Sequence, residues 1–295
     1  VDVARVRGEL TGTRFADVRW VRETGSTNTD VLELARQGEA EGTVVVADHQ
    51  TAGRGRRGRT WEAPAGAALM ATVLVRPPAA VAGLTTMALA VAAADAVAEV
   101  SGASLGVKWP NDLVWPGDGR APDRKVAGIL AEADWPASSQ PAGGWSPPGN
   151  HDRAVVAAGI GINVAWGRRV PDHLRESAVA LDEITAPAPA PDRAELLVAL
   201  LRNLHRTYGA LVAGPSGAED LLEAWRVRSA TLGRRVRVDL GHDDVVGTAV
   251  DVTAQGHLVV ELLEGGRRIL AVGDVVHLRP ESGPQASAAG DSTSS

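Results

Sequence analysis

Gln50-Thr51-Ala52-Gly53-Arg54-Gly55-Arg56-Arg57-Gly58-Arg59-Thr60-Trp61 interleaves four arginines with three glycines and ends on an indole. Just upstream, Thr43 to Asp48 is a β-branched, apolar run behind Gly42, which predicts a buried strand feeding this loop. Glycines let backbone N–H groups approach a phosphate closely, guanidiniums add forked donors, and Trp61 offers a flat face to a ring, so the loop reads as an anion cradle. Gly53, Gly55 and Gly58 have the spacing of a dinucleotide fingerprint. No amphipathic helix follows, however, and Val73 to Pro77 stand where an acidic residue is needed. A P-loop fails as well, because the loop closes on Gly58-Arg59-Thr60 without the required lysine. Taken alone, the loop leaves open a nucleic-acid patch or a solvated arginine turn, and the net charge of −6 argues against the first.

With the doubly wound folds set aside, the flanking elements decide the class. Arg14 to Glu23 predicts a strand, and Ser26-Thr27-Asn28 an N-cap for a helix through Val31, Leu32 and Leu34-Ala35. Ala68 to Arg76 predicts a strand stopped by Pro77-Pro78, Leu84 to Val100 a helix buried on most sides, and Val126 to Glu132 and Ala154 to Val164 two more strands. Asp192 and Glu195 open a helix with Leu196, Leu200, Leu204, Tyr208 and Leu211 on one face, and Ala218 to Arg228 makes another. From Arg234 the period switches. Val236 and Val238, Val246 to Val252, Leu258 to Leu263 and Ile269 to Val276, separated by Gly-containing turns, predict a β-barrel of about 50 residues. The expectation is an α+β fold, a mixed β-sheet with helices over 1–230, a small barrel over 231–280 and a disordered tail over 281–295. Pro116 to Arg124 and the Pro, Gly and Ser-rich Asp134 to Arg153 predict mobile loops.

A hydrophobic fraction of 44% supplies ample core, while the absence of cysteine excludes disulfides, thiolate metal sites and a Cys nucleophile. The seven histidines have no paired ligand spacing, so no metal site is expected from them. No apolar signal-peptide core opens the chain, and its longest apolar stretch carries Asp95 and Glu99, which makes a cytoplasmic protein without a membrane partner the expectation.

Of 30 basic residues only Lys108 and Lys125 are lysines. A lysine kept in an arginine-rich chain suits a task that needs a compact, rotatable ammonium, although codon bias alone would leave such survivors. Both stand in distinctive motifs. Lys108-Trp109-Pro110-Asn111-Asp112 joins a cation, a stacking ring, a rigid turn, an amide and a carboxylate, and Lys125-Val126-Ala127-Gly128-Ile129-Leu130-Ala131-Glu132 sets the second lysine at a strand entrance. Gly159-Ile160-Gly161-Ile162-Asn163-Val164 ends another strand with two glycines and an amide.

In this order and spacing, Ser26-Thr27-Asn28, Gly53 to Trp61, Lys108 to Asp112, Lys125 to Glu132 and Gly159 to Asn163 closely resemble the biotin–protein ligases. The resemblance is strong over Glu23 to Val164 and extends to Ala271-Val272-Gly273-Asp274-Val275 near the C-terminus. It implies a catalytic domain similar to class II aminoacyl-tRNA synthetases and lipoyl ligases, followed by an SH3-like barrel. No winged helix-turn-helix precedes Ser26, so DNA binding is not expected.

The resemblance also implies ATP and magnesium as requirements and biotin as substrate, with the biotin carboxyl carrier domain of an acyl-CoA or pyruvate carboxylase as partner. Ser26, Thr27, Asn28, Gln50, Gly53, Arg54, Gly55, Arg56, Lys125, Gly128, Gly159 and Gly161 would bind biotin. Arg56, Arg59, Trp61, Asn111, Lys125 and Asn163 would bind ATP. Lys125, Arg56 and Asp112 would be catalytic: the lysine bridges carboxylate and α-phosphate, and Asp112 either deprotonates the incoming amine or merely fixes the turn after Pro110. No carboxylate cluster identifies a magnesium ligand. A lipoate or octanoate ligase or transferase on a related scaffold, or a non-catalytic nucleotide-binding module, are the alternatives.

Overall fold

The computed structural model describes residues 1–117, 121–134, 152–241 and 243–278. The expected tail over 281–295, nearly all of the expected loop over 134–153 and the centre of the one over 116–124 lie outside the described residues.

Seven strands form a mixed sheet in the order β1-β2-β3-β7-β6-β5-β4. They are β1 (Val18–Thr24), β2 (Val44–Gln50), β3 (Ala68–Val75), β4 (Gly106–Lys108), β5 (Asp112–Trp115), β6 (Arg124–Asp134) and β7 (Val155–Asn163). Only β1 and β2 run parallel; the remaining neighbours are antiparallel.

Because strand side chains alternate between faces, the central strands have two different sides. On one, Leu69, Ala71, Val73 and Val75 of β3 join Ala158, Ile160 and Ile162 of β7 in the main core. Helices α3 (Thr85–Ser101), α5 (Arg193–Ala213) and α6 (Pro215–Arg228) close that side. On the other, Val45, Leu74 and Ala157 pack against Val31 of α2 (Thr27–Arg36). That single helix covers only part of the face, and the uncovered part becomes the cleft.

Helix α3 belongs to a stretch, Ala79–Ser101, long and apolar enough to cross a membrane by length and composition, but 67% of its apolar 18-residue window is buried inside the fold. Its two acids are satisfied there: Arg228 pairs with Asp95 at 2.8 Å, and Asn203 Nδ2 donates to Glu99 at 3.1 Å. The helix stops at Gly102, whose φ of 71° is the left-handed conformation that a glycine adopts without strain. Asp192 caps α5 as expected, accepting from the N–H groups of Ala194 and Glu195.

A second, antiparallel sheet follows, in the order β11-β10-β9-β8-β12. Its strands are β8 (Arg235–Asp239), β9 (Asp244–Val252), β10 (Leu258–Leu262), β11 (Arg267–Leu270) and β12 (Asp274–His277). Val236, Val238, Val260 and Val275 point inward and continue the main core. Mixed sheet, backing helices and small C-terminal β unit agree with the α+β expectation.

One local reading needs correction, and two elements were not expected from the sequence. The strand expected from Arg14 starts at Val18, because Phe15 turns fully into the core and the Arg14 N–H donates to His205 Nδ1. The polar N-terminus forms helix α1 (Val3–Glu9), capped by Asp2, with Val6 buried. Lys108 to Asp112 is a β-hairpin: Lys108 of β4 pairs with Asp112 of β5 across a turn at Trp109–Asn111. A short α4 (Leu181–Ile184) completes the α-helices that the described residues contain.

Candidate active site

Register lays a lane of small residues across the central strands on the α2 side. Thr72 of β3 faces Gly159 of β7, which faces Leu130 of β6; one step along, Met70, Gly161 and Gly128 form the next row. Missing side chains leave room for others. A Cβ on Gly159 would stand 2.0 Å from Asn28 Oδ1, and one on Gly161 would stand 2.4 Å from the Trp61 indole. The resulting cavity, of about 250 Å³, is lined by Ser26, Thr27, Asn28, Gln50, Arg54, Gly55, Arg56, Arg59, Trp61, Asn111, Lys125, Gly128, Gly159, Gly161 and Asn163 among others.

The floor is neutral and tightly bonded. Ser26, Thr27 and Asn28 are all buried. Gln50 Oε1 accepts the backbone N–H of Thr27 at 2.8 Å and lies 3.0 Å from the Thr27 hydroxyl oxygen. Asn28 Nδ2 donates to Leu130 O and to Glu132 Oε2, at 3.0 and 2.8 Å. Ser26 holds the N-cap position of α2, but its side chain makes no capping bond, which corrects the expected cap. Gln50 satisfies the Thr27 N–H instead.

The arginine loop is held differently. It pinches shut through Trp61 N–H to Gly53 O (3.0 Å) and Gly55 N–H to Arg59 O (2.6 Å), with Arg57 left-handed at φ 56°. Its guanidiniums reach carboxylates supplied by distant parts of the chain. Arg59, Arg57 and Arg56 lie 2.8, 3.5 and 3.7 Å from Asp274 of β12, and Arg54 lies 2.8 Å from Glu132. Arg56 also donates to Asn111 Oδ1 at 3.2 Å, and burial pushes its affinity for a proton below that of a free guanidinium. The Trp61 indole covers Gly161 and Gly128, its Nε1 shielded without a hydrogen-bond partner.

Lys125 is the lysine that lines the cavity. Its Nζ lies 2.7 Å from Asp112 Oδ1 and 5.6 Å from the centroid of Trp61. Lys108 is not among the lining residues; burial lowers its pKa, opposed by Asp112 and Asp123. Trp109 is no stacking ring either: it is 3% exposed, and its indole N–H donates to Gly256 O across the seam to the second sheet. Asn163 donates from Nδ2 to Lys125 O and Val179 O, leaving its buried Oδ1 unpartnered.

Beside Lys108 the same seam holds a polar knot. Asp123 Oδ2 accepts from Arg234 at 2.7 Å and lies 3.0 Å from His277 Nδ1, while the Asp123 Oδ1 accepts the Gly117 N–H. Burial, with repulsion from Lys108 and Arg234, lowers the His277 pKa to about 4 against the pull of Asp123, so the ring is neutral at pH 7. Burial alone would raise the Asp123 pKa, but Gly117, Arg234 and His277 together hold it below the usual carboxylate value.

The cavity thus gathers the expected residues from five separate segments, except Gly53 and Asp112, which stand just behind it and hold Trp61 and Lys125. Three participants escaped the sequence reading. Thr72 carries the one hydroxyl in a strand that otherwise reads Ala-Leu-Met-Ala-Val-Leu-Val, a signal visible beforehand. Glu132 and Asp274 sat inside quoted motifs, yet their contacts with residues 54–59 depend on folding alone.

Residues 20–136 match the biotin/lipoate A/B protein ligase family, and residues 231–278 the biotin protein ligase C terminal domain. The chain is 39% identical over 282 residues to the biotin–[acetyl-CoA-carboxylase] ligase of Mycobacterium tuberculosis, covering 92% of each. This chain belongs to the biotin protein ligase family. It is 32% identical to the enzyme of the same name from Paracoccus denitrificans, covering 85% of this chain and 97% of the relative. The biotin protein ligase of Aquifex aeolicus, solved in complex with biotin and ATP, superposes with a TM-score of 0.68 at 26% identity, over 90% of this chain and 99% of that one. As a biotin protein ligase the protein is an ATP-dependent ligase, with the mixed α+β architecture of its relatives.

Proposed function

We propose that this ligase activates biotin with ATP to biotinyl-5′-adenylate and then transfers the biotinyl group to one lysine of a biotin carboxyl carrier domain of an acyl-CoA or pyruvate carboxylase. The observation that carries this reading is a single ammonium, Lys125, opening onto a cavity whose neutral floor and arginine-bearing wall meet around it. The names of the relatives, and the biotin and ATP bound to the Aquifex aeolicus protein, support the two substrates.

In the first step a biotin carboxylate oxygen attacks the ATP α-phosphorus, and the bond to the pyrophosphate oxygen breaks. In the second the lysine nitrogen attacks the acyl carbon, loses a proton, and AMP departs. Negative charge moves among oxygens in both, so fixed cationic donors are the main requirement. Lys125 follows that charge between carboxylate and phosphate, since an ammonium rotates where a guanidinium is committed to one plane. Arg56 and Arg59 exchange Asp274 for phosphate oxygens, with Asn111 steadying Arg56 and Trp61 and Asn163 facing the nucleoside. Asp112, 2.7 Å from Lys125, is better suited to orienting that ammonium than to deprotonating the acceptor. Ser26, Thr27, Asn28 and Gln50 hold the ureido ring, beside Gly53, Arg54 and Gly55 and over the lane of Gly128, Gly159 and Gly161.

Magnesium is expected with ATP. Among the described residues no group of three or more His, Asp or Glu side chains could hold a metal ion, and Asp112, Glu132 and Asp274 are each engaged by a cation of the chain. These residues form no cage, so the ion would travel with the phosphates. Dependence on ATP makes the cytoplasm the expected location.

Exchange of labelled pyrophosphate into ATP tests the reading. Biotin is expected to drive it and lipoate not to; equal exchange with lipoate, or none with biotin, overturns it.

A further inference from the structure

Thr72 lies under the floor, fully buried on β3 and outside the cavity lining. Its Oγ1 is 2.7 Å from Thr27 Oγ1 and 2.7 Å from Asn28 Oδ1. Both ends of this chain of oxygens are fixed as acceptors. Asn28 spends its Nδ2 on Leu130 O and Glu132 Oε2, so the atom toward Thr72 is a carbonyl oxygen. Gln50 takes the Thr27 backbone N–H, so its Oε1 faces Thr27.

Three oxygen–oxygen contacts therefore run Gln50–Thr27–Thr72–Asn28, and two hydroxyls supply two protons for them. Asn28 Oδ1 takes the Thr72 proton. A separation of 2.7 Å between two hydroxyl oxygens needs a proton between them, so the contact left without one is the longest of the three, Thr27 to Gln50 at 3.0 Å. The Thr27 proton consequently points inward to Thr72, and Thr27 offers only lone pairs to the cavity.

We infer that Thr72 is a positioning residue: it draws the Thr27 hydroxyl proton into the core and makes Thr27 an obligate acceptor, matched to an N–H of the substrate's urea ring. Gly159 allows this, because a Cβ there would occupy the place of Asn28 Oδ1. The inference deepens, and rests on, the reading of this cavity as the biotin site.

Calorimetric biotin binding and steady-state pyrophosphate exchange on Thr72→Val, Thr72→Ser, Thr27→Val and the Thr72→Val/Thr27→Val pair test it. Losing one buried acceptor arrangement is expected to raise the biotin Kd and KM about tenfold in Thr72→Val, with KM for ATP unchanged. Thr72→Ser restores biotin affinity, and Thr72→Val adds nothing in the Thr27→Val background. A joint rise of both KM values, no rescue by serine, or additive losses in the pair overturns the role. Should Thr72→Val not fold, Thr72→Cys, whose thiol donates poorly, replaces it: weakened biotin binding supports the inference and wild-type binding overturns it. If wild-type protein itself shows no biotin-dependent exchange, the ligase reading fails; if it does, and the Thr72 variants bind biotin normally, only this inference fails.

Discussion

The floor around Thr27 and the loop around Arg56 line one cavity, and the chain builds them by opposite means. The floor is neutral, buried and backed by three sheet strands, with each amide fixed by two partners. The loop is charged and partly exposed, with Arg59 62% open to solvent, and it is held by ion pairs to Asp274 and Glu132. A buried hydrogen bond is costly to leave unmade, while exposed ion pairs contribute little and exchange readily. The contrast suits the proposed substrates: a small uncharged ring is recognised by a rigid floor, and a polyanion displaces carboxylates already resident in the loop.

Lys125 stands where the two regions meet, and changing it should give the largest effect. Lys125→Arg is expected to fold normally and lose roughly 10²–10³-fold in adenylate formation, because a planar guanidinium cannot follow the moving charge. Near-wild-type pyrophosphate release by that variant would refute the role.

Rigidity of the floor is tested next. Gly159→Ala forces a methyl onto Asn28 Oδ1, which has no free direction in which to yield, and is expected to weaken biotin binding by about 2 kcal/mol in calorimetry. Gly161→Ala first meets the Trp61 indole, carried on the loop, and should cost less. Equal losses would erase the distinction between the regions.

The seam between the sheets yields a smaller, pH-dependent effect. The His277 pKa falls to about 4 in the folded protein against an unfolded 6.5, so stability is complete above 6.5 and declines as pH falls toward 4. At pH 5.5 the loss is on the order of 1 kcal/mol, measurable by urea denaturation, and His277→Gln should remove that slope. The contribution of Asp123, whose folded pKa is depressed, persists until the pH drops below the ordinary carboxylate value of about 3.9. A pH slope unchanged in His277→Gln would assign the effect to other groups.

Asp274→Asn gives the smallest change. Freed of a competing carboxylate, Arg56 and Arg59 should lower KM for ATP about two- to fivefold, an effect that added salt diminishes, with biotin affinity unmoved. A parallel shift in biotin Kd would mean that floor and loop are one mechanical unit.

Much of this was legible in the chain because its signals are local. Continuous apolar runs gave β2, β3, β6 and β7, a long apolar segment gave α3, a helical stripe gave α5, and five motifs in order gave the family. Short or covered elements were not: α1 and the strands on either side of Trp109–Asn111 carry too few residues for a period to register. Trp109 read as a stacking ring because its composition suits one, while its burial against Gly256 depends on a segment far along the chain.

Sequence by itself determined which chemical groups the site would hold, since ammonium, guanidiniums, amides and glycines are properties of residue type and spacing. Tertiary structure alone decided their partners: register set Thr72, Gly159 and Leu130 in one row, and the second sheet brought Asp274 to the arginines. Hydrogen bonds and ion pairs act over about 3 Å, a distance at which neighbours are chosen by packing and not by position in the chain.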